Sequence, residues 1–269
     1  MASFSVVNNI ASANAQANLT ITQLGLQRAL TRLSSGYRIN SSGDDAAGLV
    51  TANGYRADVA IINQGIRNAN DGLSDLQIKD GALNNVSMLL NRLATLAAQA
   101  ASGTATQDSR DTLDAEFRDV LEEIDREVTV AGLSDPSGFG FSVFVSANGA
   151  DGKITDTLGP ATTADLLIDG SSLLDQADAE TAVNDVKAAI VALGESQSTV
   201  GTLQNRLQYA ISLAQSQMVN TMGADSRIRD ANIAEEAANM TRYSILTQSG
   251  VAALAQANQS TSAVLALLR

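Results

Sequence analysis

The stretch "MTRYSILTQSGVAALAQANQSTSAVLALLR", residues 240–269, decides how the rest of the chain is read. Together with the residues just before it, it carries a heptad: Ile233, Met240, Thr247, Leu254, Thr261 and Leu268. Ala237, Ser244, Val251, Asn258 and Leu265 stand four residues on from successive members. That spacing predicts one helix over about 229–267. Its seam mixes Leu with Thr, Ser and Asn, which is weak for a coiled coil standing alone. Such a helix is marginal in water and gains by burial among neighbours. The stripe runs on to Leu268, with Arg269 after it. The expectation is a helix whose cover comes from somewhere else.

The other end behaves alike. Residues 5–35 read as a helix in which Leu19, Leu26 and Leu33 form one heptad stripe, and Ile10, Ala17 and Leu24 another. At roughly 100° per residue the two stripes lie on nearly opposite sides. Two readings stay open: a helix with partners on both sides, or one buried within its own domain. Arg28 interrupts the second stripe.

Composition restricts the chemistry between these ends. The 269 residues contain no Cys and no His. Thiol nucleophiles, imidazole bases, disulfides and nearly all zinc or haem ligation are removed, so neither an enzyme nor a cofactor is expected. Apolar residues make up 45% but aromatic ones only 3%, which favours close helix packing over a bulky core. The acidic excess is local. Residues 100–190 hold 18 acids against 5 bases, whereas 1–99 and 191–269 are near neutral. Neutral ends pack on copies of themselves without repulsion, and the acidic middle suits a solvated face. No basic stripe invites nucleic acid, and no apolar run is long enough to insert in a membrane. The first twenty residues show no basic and apolar leader pattern, so if the chain leaves the cell, it does so by a route without a cleaved signal.

"LSSGYRINSSGDDAAGL", residues 33–49, ends the first helix. Gly36 is placed to cap it, and Asp44 to cap a new helix over about 44–101. Capping is preferred to acid–base chemistry for Asp44 and Asp45, because no His or further ligand stands near. A third helix, about 107–129, is amphipathic through Leu113, Phe117, Val120, Leu121, Ile124 and Val128. Its face of Asp111, Asp114, Arg118, Asp119, Glu122, Glu123 and Arg126 is read as solvated. "FGFSVFVS" and "ITDTLG" alternate as two strands around the turn-rich "ANGADGK". Helix resumes over about 178–222, with a break at "GADSRIRD" around Gly223.

Two long blocks carry a resemblance. "LSSGYRINSSGDDAAGL" with "RNANDGLSDLQIKDGALNNV" (67–86) is similar to the N-terminal signature of bacterial flagellins, and residues 240–269 to their C-terminal signature. The likeness covers about 1–128 and 195–269. It implies a mostly α fold with a small β-hairpin region. The fold would be a discontinuous two-domain helical bundle whose N- and C-terminal helices pair as a coiled coil. An inner module, D0, would take residues 1–43 with 225–269. An outer module, D1, would take 44–224, with its tip at about 132–175. The implied function is a structural subunit that polymerises with itself into an extracellular flagellar filament after unfolded export through the flagellar type III system. Implied partners are further copies, an export chaperone on about 225–269, and hook-associated and cap proteins. A hook–filament junction protein, with similar ends, is the alternative.

The resemblance also answers what covers the terminal stripes: other subunits. The expected interface residues are Ile10, Ala17, Leu19, Leu24, Leu26, Leu33, Ile233, Met240, Val251, Leu254, Leu265 and Leu268. A surface read by a Toll-like innate immune receptor would fall on Arg92, Ala94, Thr95, Leu96 and Glu116. Here Ala94 and Thr95 replace the charged pair common in recognised flagellins, so weak or absent signalling is expected. After the third helix, the usual aromatic-Asn-Gly turn is replaced by Ala131–Gly132.

Overall fold

A computed structural model describes residues 9–135, 138–146, 152–159 and 161–267, with side chains to Gln259. The elements are α1 (Ile10–Ser35), α2 (Ala46–Ala100), α3 (Gln107–Val130), β1 (Phe139–Phe144), β2 (Lys153–Leu158), α4 (Gln176–Arg229) and α5 (Ile233–Leu267). The chain forms two compact units. A terminal unit joins Met1–Ala57 to Asn220–Arg269, and a middle unit spans Asp58–Val219. The sequence reading places this division at 43/44 and 224/225. The terminal unit reaches further along α2, where Ala52 is fully buried.

In the middle unit, the buried side of α2 repeats at three and four residues. Ile62, Ala69, Leu76, Leu83, Leu90 and Ala97 form one line, and Gly65, Gly72, Lys79, Val86, Leu93 and Ala100 the other. On α4 the series Ala179, Ala182, Val186, Ala189, Leu193, Val200, Leu203, Leu207 and Ala214 does the same. This is the pattern that keeps a seam on one side of a long helix. Phe117, Leu121, Ile124 and Val128 of α3 join that core, as the amphipathic reading of α3 predicts.

β1 and β2 pair antiparallel, with Phe139 opposite Leu158 and Phe144 opposite Lys153. The turn expected at "ANGADGK" falls largely outside the described residues. The hairpin lies on the second line of α2. A Cβ at Gly65 would overlap the Val145 carbonyl and stand 2.9 Å from its Cα, and one at Gly72 would stand 2.7 Å from Val143 Cγ2. One heptad further, buried Lys79 donates to Asp75 Oδ1 (2.8 Å) and lies 4.0 Å from the Phe139 ring centroid.

On the polar face of α3, Asp111, Arg118, Asp119, Glu122 and Arg126 are exposed as the solvated reading expects, and Asp114 departs from it. Asp114 is buried and accepts from the Leu173 backbone N–H (2.8 Å) and Arg118 Nε (2.8 Å). Asp125 accepts from the N–H and Oγ1 of Thr163 (2.8 and 2.7 Å). The two carboxylates fasten the segment between β2 and α4, whose Ile168 and Leu173 fill the core. After α3, Gly132 takes a left-handed conformation (φ 70) and the Leu133 N–H bonds the Val128 carbonyl. The turn therefore forms on glycine geometry without the aromatic and Asn side chains.

Two further expectations are corrected. α4 does not break at Gly223 but continues to Arg229, because one glycine within a helix costs only about 1 kcal/mol against Ala. Asp44 does not cap α2. Its Oδ2 instead accepts from the N–H groups of Asn40 and Ser41, closing the preceding turn, while Asp45 bonds the Gly48 N–H at 2.8 Å. The backbone bonds beneath Asp44 hold its carboxyl below the ordinary range.

Candidate functional site

The candidate site is the surface of the terminal helix pair. α1 and α5 run antiparallel: Asn9 Nδ2 donates to the Ala257 carbonyl, Ser12 Oγ to Asn258 Oδ1, and Arg32 Nη1 to Glu236 Oε1 (2.9, 2.9 and 3.2 Å). Gly36, at φ 74, ends α1 as its sequence position predicts, its N–H bonding the Arg32 carbonyl. At the crossing between helices the two chain segments are stitched together. The Arg38 N–H bonds the Arg229 carbonyl, the Ala231 N–H bonds the Gly36 carbonyl, and Tyr37 bridges Asp230. Arg229 lies 4.4 Å over the Tyr37 ring.

The seam between α1 and α5 uses large residues set against small ones. Leu19, Leu26 and Leu33 are half-buried, as are Met240 and Leu254. Leu19 faces Gly250, where a Cβ would stand 3.2 Å from Leu19 Cδ1, and the Tyr243 ring covers Gly25. Arg32 joins Glu236 and Asp44, closing one end of the seam with charge. The series Glu236, Tyr243, Gly250 and Ala257 thus accompanies Met240 and Leu254. It is itself a heptad in the sequence, three residues on from Ile233, and would have been found by testing that phase. The phase four residues on, with Val251, points elsewhere: Val251 is 53% exposed.

The remaining predicted interface residues separate from this seam. Ile10 and Leu24 are 65% and 51% exposed, Ala17 is exposed beside them, and Ile21 falls on the same stripe. Ile233 is also half exposed. The Leu265 side chain and Leu268 lie outside the described residues. Between the helices an open groove of about 430 Å³ is lined by small and polar residues such as Asn14, Ala15 and Ser249, and by Leu19 and Leu246.

The five receptor-type positions belong to the middle unit and do not form one surface. Leu96 is 1% exposed and is a core residue, because it lies on the buried side of α2. Ala94 is half-buried, and Thr95 is exposed with its hydroxyl donating to the Arg92 carbonyl. Arg92 and Glu116 form an ion pair across α2 and α3.

Among the described residues no group of three or more His, Cys, Asp or Glu gathers as metal ligands would. No described helix is long and apolar enough to cross a membrane.

Residues 6–132 match the bacterial flagellin N-terminal helical region, and residues 183–268 the bacterial flagellin C-terminal helical region. This chain belongs to the bacterial flagellins. The flagellin of Halalkalibacterium halodurans is 35% identical to it over 97% of this chain and 98% of that protein. The flagellar filament 33 kDa core protein of Treponema phagedenis is 32% identical over 97% and 99%. In fold, this flagellin is also similar to a putative flagellar hook-associated protein from Vibrio parahaemolyticus. The TM-score is 0.56 at 13% identity, covering 70% of this chain and all of that one.

Proposed function

We propose that this flagellin polymerises with itself into an extracellular flagellar filament, the terminal unit forming the inner D0 layer and the middle unit the outer D1 layer. One observation supports this most directly: α1 carries apolar side chains on two sides, and α5 covers only one of them. Ile10, Ile21 and Leu24 on α1, with Ile245 and Val251 on α5, are each more than half exposed. Fully burying such a side chain contributes about 1.5–3 kcal/mol, and a packed second copy provides that burial. Export as an unfolded chain through the flagellar type III system, escorted by a chaperone on the C-terminal segment, suits helices held by so thin a seam. Hook-associated and cap proteins then meet the same terminal helices at the filament ends.

The role is structural rather than catalytic. The test is electron microscopy of purified chain under assembly conditions, with and without residues 229–269. Long filaments from the full chain and none from the truncation are expected. A full chain that fails to extend filament seeds would favour the junction role instead.

A further inference from the structure

The outer stripe of α1 repeats at three and four residues through Ile10, Ala17, Ile21, Leu24, Arg28 and Thr31, and all six are exposed. Arg28 sets a guanidinium in an otherwise largely apolar line. It has no hydrogen-bond or ion-pair partner among the described residues, whereas Arg32, one turn on, holds both Glu236 and Asp44. Leu24, Arg28 and Thr31 also line an open groove of about 360 Å³ together with Asn40, Ser41 and Asp44. A helix laid on this stripe buries Arg28, and a buried charge is tolerated when a counter-charge meets it. The occupant therefore needs a carboxylate that can reach Arg28 from beside apolar side chains.

Among the described residues the terminal unit has one such carboxylate. Asp44 and Glu236 are committed to Arg32, Asp45 to the Gly48 N–H, and Asp230 to the Ser226 hydroxyl. Asp225 keeps its Oδ1 buried. Glu235, in the first turn of α5, is exposed and its carboxylate has no partner among the described residues. At spacings of three and four it shares a face with Ala238, Arg242 and Ile245, and Ile245 is 58% exposed. We infer that Arg28 of one copy pairs with Glu235 of a second copy, the charged anchor of an α1–α5 contact between copies. The inference rests on the filament reading above. Because two different patches meet, each joined pair keeps one free Arg28 and one free Glu235, so the contact propagates.

The test uses the full-length chain in two variants, Arg28→Glu and Glu235→Arg, each checked for an unchanged melt of the middle unit. Polymer is measured by sedimentation against protein concentration. Each variant alone should require at least about tenfold more protein than the parent, since its contacts oppose like charges. An equimolar mixture should assemble close to the parent. When the two variants alternate, the introduced carboxylate of one meets the introduced guanidinium of the other, and the unaltered Arg28 meets the unaltered Glu235. Either variant assembling alone at the parent's concentration overturns the pairing, and so does a mixture that stays soluble. Failure of the unaltered chain to polymerise overturns the filament reading itself, which separates the two.

Discussion

The ring of Tyr243 on α5 lies against the bare Cα of Gly25 on α1, so closely that a Cβ at Gly25 would stand 2.6 Å from Tyr243 Cε1. Helix propensity alone favours Gly25→Ala by about 1 kcal/mol. The contact reverses the sign, since overpacking a fitted seam costs about 1–3 kcal/mol. Gly25→Ala should therefore raise the protein concentration needed for polymerisation and leave the middle unit's melting temperature unchanged. Polymerisation at or below the parent's concentration would show that Tyr243 moves aside freely.

The glycines of α2 divide the same way. Gly65 meets backbone at Val145, whereas Gly81 has open space around it. Gly65→Ala should destabilise the middle unit by about 1–3 kcal/mol, because a backbone carbonyl cannot rotate away. Gly81→Ala should stabilise it by up to about 1 kcal/mol. Urea unfolding of both variants measures the contrast, and equal effects would refute the seating of the hairpin on Gly65.

Acid should loosen the middle unit through Asp114. Burial raises its carboxyl pKa, but the Leu173 N–H and Arg118 outweigh this and hold it below the ordinary value of 3.8. A depressed carboxylate contributes stability that is complete above its unfolded pKa and is lost as pH falls through the folded one. The loss thus belongs below about pH 4. Asp114→Ala should cost about 1–3 kcal/mol at pH 7, because the Leu173 N–H loses its acceptor. It should also flatten the acid limb of a stability profile, and an unchanged limb would remove Asp114 from the account.

The thin α1–α5 seam predicts that the free chain protects it poorly. Ordering a helical backbone costs about 1–2 kcal/mol per residue, and among the described residues Ala29 is the one apolar side chain buried on the pair. Amide exchange on monomer should be fast over residues 10–35 and 233–267 and slow over the core of α2 and α4. Filaments should protect both. Strong protection of the terminal helices in monomer would refute this account of the seam.

Buried Leu96, with neutral Ala94 and Thr95 between Arg92 and the core, leaves little for an innate immune receptor to grip. Reporter cells carrying a Toll-like flagellin receptor should respond weakly to this chain. A response equal to that of a standard flagellin would contradict the reading.

The sequence is most legible where local pattern alone decides structure. Phe117, Leu121, Ile124 and Val128 announce the buried side of α3, and Gly36 announces the end of α1. Asp114 and Asp125 escape a local reading because their partners, Leu173 and Thr163, lie 59 and 38 residues away. The phase of α5 is ambiguous for a different reason. With Gly, Thr and Ser at seam positions, apolar content does not single out Gly250 from Val251; the depth of Leu19 does. On α4, Gly223 has the look of a stop, yet the helix passes through it.

The stitch between residues 36–38 and 229–231 is made mainly of backbone groups. Two loose connections would let α1 and α5 swing separately. Tied together, the two connections share one anchor, so drawing α1 away from α5 at this end requires breaking these backbone bonds.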